Sequence, residues 1–568
     1  MPLDYKYIDH DNPPGKNFVP RLLLRLLIVF ILIAVGLYTF FYIQTRRVED
    51  WILTGQYDRT EQRLSHWTFL PIVSGRVHEK LGTAKLLHRG AAAAATDFQT
   101  AQSKWFFKPA GIWLEVLKTL WANARYSDGT AYANHIASSL KEDPIVHFYN
   151  AGFLTGLNQL DDASKELAAA GNIPDYANEI TTLKAEINQR QTTGAYVVIF
   201  DREKFALANR SFKGETTVRI DSLKPILNNP SFGYLATHKD RNEQAVLTLD
   251  YRIQNAALNA LGKYAGAVVV LDVKNGDILT AASSTKGVAS QYPPETVLAL
   301  TELYEPGSII KLITLSAAIE HHIDLSKLFP FECKGMLDLA DNKIIHDWKA
   351  HGQVKDINQA MALSCNVAFA RVGLTLNPAD LMANLKLFGF DSYLNESSAP
   401  LTLGRIEPAD MTNYNLANVS IGLQYLKMTP LHAAMIAASI ANGGSAFTPR
   451  LLSHYQNVIG LPYAVNPPVE FRRFMSQSTA EKISAAMQEV VKNPDGTGHR
   501  AAVDGFPFAM KTGTAGDATK GFNAIVVGFA PVPDPKIAFS IVLEHAGKAE
   551  FEGARVTKLF LESIKGYI

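Results

Sequence analysis

The chain has 568 residues, 47% of them hydrophobic and 19% charged, with a formal net charge of +1. That length suggests roughly three to four domains of ordinary size, the composition can fill large cores, and so small a net charge provides no basic field for nucleic acid. Two cysteines, Cys333 and Cys365, exclude a disulfide framework and carry no paired metal-ligand spacing.

Leu26 to Ile43 is an apolar run without a charge, with Arg21 and Arg25 before it and Arg46-Arg47 after. At about 1.5 Å per residue it is near the length that spans a bilayer. A cleaved leader would end in small residues, whereas this run ends Phe40-Phe41-Tyr42-Ile43. The expectation is a cytoplasmic tail over 1–20 and an uncleaved transmembrane anchor over 21–45, with basic residues setting the orientation only weakly. A buried core helix is the alternative, and the flanking arginines disfavour it.

Residues 46–192 read as all helical, with Ala91 to Ala95 the clearest helix former. Tyr149-Asn150-Ala151-Gly152, Gly156, Leu160, Ala163, Leu167 and Ala170 read as a helix pair with small residues at its crossing. The pair is similar to one tetratricopeptide-type repeat or is a plain helical hairpin, and no second copy shows at that period. Residues 193–245 form a small β-rich connector opening on Tyr196-Val197-Val198-Ile199-Phe200. Next, Gly266–Leu271 and Ile278–Ala282 flank an Asn275-Gly276 turn as a hairpin. A mostly helical stretch runs from Ile309 to Asn442. Strands then return at Phe508–Lys511, Phe522–Ala530 and Lys536–Glu544, before a last helix from Ala554. Strands at both ends with helices between predict an α+β domain over 246–568, its one sheet assembled from distant segments.

Within that domain Glu305-Pro306-Gly307-Ser308-Ile309-Ile310-Lys311 is a polar turn breaking into an apolar helix. A serine in the first helical turn has its hydroxyl near unpaired N–H groups, and a lysine three residues on lies on the same face. That is the arrangement of a serine nucleophile with an amine base. The same spacing occurs at Ser138/Lys141 and Ser283/Lys286, so alone it decides nothing. What distinguishes the third copy is Ser364-Cys365-Asn366 and then Lys511-Thr512-Gly513-Thr514, each pattern found once.

The ordered trio resembles the penicillin-binding proteins and serine β-lactamases. Leu247-Thr248-Leu249-Asp250, Thr429-Pro430-Leu431, Gly496-Thr497-Gly498 and Gly528-Phe529-Ala530-Pro531 are similar to the transpeptidases of that family, and Phe200-Asp201-Arg202 echoes its class B members. The resemblance implies a β-lactamase/transpeptidase-like fold, an antiparallel sheet flanked by helices. It implies a monofunctional D,D-transpeptidase acting on peptidoglycan stem peptides outside the cytoplasmic membrane, inhibited by β-lactams and needing no cofactor. Ser308 is then the nucleophile and Lys311 its base, with Lys511 the cation beside it. Ser364 relays the proton, Asn366 holds Lys311 and the substrate peptide, and Thr512 and Thr514, flanking Gly513, meet a substrate carboxylate. Backbone N–H groups of Ser308 and Thr514 form the oxyanion hole.

The same motifs leave open a D,D-carboxypeptidase or endopeptidase, which would use water, and a β-lactam sensor or scaffold without turnover. His346-Asp347-Trp348 with His351 suggests a metal, but no third ligand has suitable spacing, and a structural histidine is the preferred reading. Cys333 and Cys365 either pair in an oxidising compartment or remain small buried residues, and the second is preferred. No glycosyltransferase signature appears, so a glycan polymerase or other cell-wall partner docking on 50–191 is a further expectation, with a passive spacer as its alternative.

Overall fold

A computed structural model of the chain describes residues 47–568 apart from 69–73, 105–110, 212–215, 219–222, 229–242, 395–400, 518–520 and a few shorter gaps, with isolated positions between 27 and 36. Most of the anchor expected at 21–45 lies outside the described residues. Among the described residues no helix is long and apolar enough to cross a membrane. The chain separates into two compact units, one ending at Ile187 and one beginning at Asn188.

The first unit is helical throughout its described residues: α1 (Tyr57–Ser65), α2 (Ser74–Arg89), α3 (Ala91–Gln102), α4 (Trp113–Ala122), α5 (Tyr126–Ala137), α6 (Pro144–Gly156) and α7 (Leu160–Ala170). Three helix pairs follow one another, α2 on α3, α4 on α5 and α6 on α7, where the sequence displayed one. α6 starts where it does because the Asp143 carboxylate accepts the Ile145 N–H and Pro144 occupies the first turn. Gly152 and Gly156 do not serve the crossing with α7. A Cβ at either would fall 1.8 Å from the Trp121 ring or 2.2 Å from the Tyr126 ring, so these glycines seat aromatics of the preceding pair. Hydrogen bonds rather than apolar contact specify other junctions: the buried Arg125 guanidinium donates to the carbonyls of Leu86 and Leu87 and to Asp128.

The described residues of the second unit hold two large sheets and several two-stranded ones. The first comprises β1 (Tyr196–Phe200), β2 (Ala206–Ser211), β3 (Thr216–Val218), β4 (Glu243–Leu247) and two later strands, β7 (Leu452–Asn457) and β8 (Pro462–Val465), in the order β8-β7-β4-β1-β2-β3. β4 runs across the boundary expected at 245/246, because it pairs with β1 on one side and β7 on the other. The connector therefore starts four of the six strands of a sheet whose other two come from the far part of the chain.

The second sheet joins β5 (Gly266–Asp272) and β6 (Ile278–Ser284) to β9 (Ala509–Asp517), β10 (Gly521–Ala530) and β11 (Ile537–Leu543) in the antiparallel order β9-β10-β11-β5-β6. Alternate side chains of a strand face opposite sides. Ser540 donates to the carbonyl of Pro430, and Phe539 packs edge-on against Phe560. α12 (Pro430–Ala441) thus covers one face and α14 (Ala554–Ile564) the other, with α9 (Tyr251–Leu261) beside α14. α12 is buried around almost its whole circumference, as its apolar sequence requires. Between β6 and β9 the chain builds a helical lobe containing α10 (Lys311–Glu320), α11 (Asn366–Leu374) and α13 (Gln477–Lys492). The sheet's β9 edge meets this lobe, and the three motifs converge there.

Candidate active site

Gly307–Ile310 forms a 3-10 turn that runs directly into α10, so Ser308 sits one turn before Lys311 and remains half-buried. Gly307 has φ +53°, and a Cβ there would lie 2.8 Å from the Thr514 carbonyl oxygen. At Gly513 a Cβ would lie 2.9 Å from the Pro306 carbonyl. These two glycines let the turn and strand β9 touch backbone to backbone, placing the Ser308 and Thr514 peptides side by side.

Ser364 occupies the turn before α11 with φ +53°, an uncommon conformation for serine, and is 6% exposed. Strand β9 brings Lys511 to the same point. Lys511 Nζ donates to Ser364 Oγ at 2.7 Å and to the Thr512 carbonyl at 2.8 Å. Lys311 Nζ donates to the Ser364 carbonyl at 2.6 Å, to Asn366 Oδ1 at 2.7 Å and to Ser364 Oγ at 3.3 Å. The Asn366 amide in turn donates to the His346 carbonyl at 3.1 Å. One hydroxyl therefore bridges two amines, and as it accepts from both its own proton is free to donate. Ser308 Oγ makes no hydrogen bond among the described residues, which leaves its lone pairs free; catalytic contacts commonly tighten only with substrate present.

Both lysines are fully buried, and burial pushes both amines below their ordinary range. Lys311 falls to about 8, with the Asp347 charge and then Cys365 working against the drop. Lys511 is pushed well below its ordinary range too, through burial first and the Lys311 charge second. Two amines this close in so dry a place titrate as a pair.

The two threonines differ. Thr512 is 4% exposed, and its Oγ1 lies 2.6 Å from Thr497 Oγ1, whose hydroxyl is also within reach of the Ala362 carbonyl. Its hydroxyl is consumed inside the fold. Thr514 is half-buried, and its Oγ1 accepts the Ala549 N–H at 3.1 Å, leaving an O–H to donate. Of the pair expected to meet a carboxylate, the geometry favours Thr514. Ser138 and Lys141 lie outside the described residues, and Ser283 is on β6, where its Oγ accepts the Ala299 N–H.

Asp347, to which the sequence assigns no catalytic role, anchors the second motif. Its Oδ2 accepts the Val367 N–H at 3.1 Å and its Oδ1 the Trp348 N–H at 2.9 Å, which fixes the start of α11. The signal available was its place between the first two motifs. Thr497 lay in a quoted pattern without an assigned role.

The family model described as penicillin binding protein transpeptidase domain matches residues 266–565. A probable peptidoglycan D,D-transpeptidase PbpC of Pseudomonas aeruginosa is 27% identical over 59% of this chain, and the match spans 61% of that protein. The peptidoglycan D,D-transpeptidase PbpA of Mycolicibacterium smegmatis is 28% identical over 57% of this chain and 77% of its own. Among solved structures, the D,D-transpeptidase domain of a peptidoglycan glycosyltransferase from Eggerthella lenta has a TM-score of 0.56 at 24% identity. It covers 66% of this chain and 100% of that one. The penicillin G acyl-enzyme of penicillin-binding protein A from Mycobacterium tuberculosis has a TM-score of 0.56 at 22% identity, with coverage of 66% and 100%. The fold is thus the α+β transpeptidase type, and with its family model matched across more than half its length the chain belongs to the penicillin-binding protein transpeptidase family.

Proposed function

We propose that this protein is a D,D-transpeptidase that cross-links peptidoglycan stem peptides through an acyl-enzyme on Ser308 and is inhibited by β-lactams. The observation that carries the reading is the hydroxyl of Ser364 held between two buried amines beside the Ser308 turn. Burial disfavours the charged form of Lys311 and so makes it available as a base. A substrate carboxylate arriving near Lys511 and the Thr514 hydroxyl favours the charged form of Lys511, whose charge in turn helps keep Lys311 neutral. Ser308 Oγ then attacks the carbonyl of the scissile D,D-peptide and gives its proton to Lys311. Backbone N–H groups of Ser308 and Thr514 hold the developing oxyanion. Ser364 passes a proton to the departing D-alanine nitrogen, the C–N bond breaks, and the acyl ester remains on Ser308. The acceptor amine of a second stem peptide, deprotonated through the same relay, displaces the ester. β9, at the edge of its sheet, offers backbone groups along which the donor peptide can lie as an added strand.

The D,D-transpeptidase activity for which the relatives are named supports this reading over hydrolysis. Nascent glycan bearing pentapeptide stems, incubated with the purified chain and digested to muropeptides, should yield cross-linked dimers. Tetrapeptide monomers alone would make the protein a carboxypeptidase instead.

We further propose that residues 21–45 anchor the chain in the cytoplasmic membrane with the catalytic unit outside. We also propose that the helical unit, including its tetratricopeptide-like pair, docks a glycan polymerase or another cell-wall partner. Removing residues 1–45 should release the enzyme from the membrane fraction, and continued sedimentation with membranes would argue against the anchor. If an unrelated helical spacer replacing 46–192 restores full function in cells, docking is wrong.

A further inference from the structure

Behind the second motif lies a cluster of three donors from separated segments, Cys333, Asp347 and Cys365, with His351 beside Asp347. Cys333 ends the short strand Phe331–Cys333, Asp347 and His351 flank the bend after Ile344–His346, and Cys365 stands between Ser364 and Asn366. Cys365 Sγ is 3.6 Å from Cys333 Sγ, and Cys333 Sγ is 3.7 Å from Asp347 Oδ2. One ligand atom from each of these three lies within 4.8 Å of the others. His351 Nε2 is 3.4 Å from Asp347 Oδ1, and the side chains of both residues are 0% exposed.

We propose that this cluster is a structural zinc site, with Cys333, Cys365, Asp347 and His351 as its four ligands. A tetrahedral ion with bonds of about 2.3 Å to sulfur and 2.0–2.2 Å to nitrogen or oxygen holds its ligand atoms about 3.3–3.8 Å apart, and the Cys333–Cys365, Cys333–Asp347 and Asp347–His351 separations fall on that scale. A second sign is His351. Neither of its buried ring nitrogens makes a hydrogen bond of good geometry, Nε2 making the long 3.4 Å approach to Asp347 Oδ1, and a buried imidazole so placed is available to an ion. Trp348 lies edge-on to that ring at 5.2 Å and confines it beside the cluster.

Two thiolates, an imidazole and a carboxylate form a borderline-soft, closed set that suits zinc and excludes magnesium and calcium. Binding would release the two thiol protons as two S–Zn bonds form. The N–H groups of Ala368, on Cys365 Sγ at 3.3 Å, and of Val367, on Asp347 Oδ2, already serve as an outer shell of hydrogen bonds. The ion would tie Ser364 and Asn366 to the loop that follows His346. Only this last consequence, for acylation, rests on the proposed activity.

The site is tested on the full purified chain, kept reduced, by elemental analysis and by replacing the metal with cobalt. One zinc per chain is expected, lost in Cys333→Ser and Cys365→Ser. Cobalt should give thiolate charge-transfer bands in the near ultraviolet and the strong visible bands of a tetrahedral ion. Reduced protein that retains no zinc after incubation and dialysis would overturn the proposal. So would a metal-free chain two hydrogens lighter, which is a Cys333–Cys365 disulfide, or variants that keep the ion. If the variants do not fold, the wild-type cobalt spectrum decides alone: without thiolate bands the assignment fails. Loss of zinc with unchanged penicillin acylation would uphold the site and remove its positioning role.

Discussion

Ser308→Ala should leave no covalent adduct after exposure to a labelled penicillin, as read by intact-protein mass spectrometry, while Ser138→Ala and Ser283→Ala label like the parent. The expectation is all-or-none because an ester needs a nucleophilic oxygen at one place. Ser308 is the half-buried serine whose backbone meets Thr514 and whose turn opens onto the Lys311–Ser364–Lys511 network. Ser364, the other hydroxyl there, already accepts from both amines and serves transfer rather than attack. A persisting adduct in Ser308→Ala would move the nucleophile elsewhere and sink the mechanism.

The second large effect concerns the lysines. Lys311→Arg should stop acylation, since guanidinium stays protonated at any relevant pH and cannot accept the serine proton. Proton transfer to a positioned base is commonly worth about a hundredfold or more, so a residual rate above about one per cent would be surprising. Lys511→Arg keeps the charge and should retain part of the rate. For the parent enzyme the second-order acylation rate should climb as pH rises toward about 8, where buried Lys311 gives up its proton in the free enzyme, and level off above it. The sign follows from the base being useful only when neutral. Equal, complete loss in both variants, or a rate that is flat through neutrality, would argue against this division of roles. Thermal melts of both variants separate loss of chemistry from loss of fold.

Much of this site was legible because its chemistry is written in contiguous patterns. Ser308 and Lys311 share a helical face, Ser364 and Asn366 bracket one residue at a turn, and Lys511 to Thr514 ride one strand, so the three patterns in order expose a site that no one spacing would. The sheet was legible for the same reason, its strands being apolar runs bounded by turns. What spacing cannot express is convergence. Cys333, Asp347 and Cys365 are far apart in sequence with no motif period, and only the fold brings their donor atoms together. Thr512 and Thr514 look equivalent in sequence, yet Thr497 satisfies one of them from another segment. In the helical unit, Gly152 and Gly156 read as spacers for a neighbouring helix because the ring that fills each gap comes from an earlier pair. The boundary at 245/246 fell inside β4 because a composition shift marks where polarity changes, not where strands pair.

The order of the central sheet also governs when the enzyme comes into existence. β5 and β6 leave the ribosome long before β9 to β11, and the whole helical lobe is made between them. At about 5–20 residues per second the early hairpin waits on the order of tens of seconds with one long edge of β5 unpaired. Lys511 is delivered by the same late segment that supplies β5 with its partner β11. A chain truncated before residue 509 therefore lacks both its second amine and the strand that covers the hairpin, so incomplete copies are at once inert and recognisable as unfinished by their bare edge.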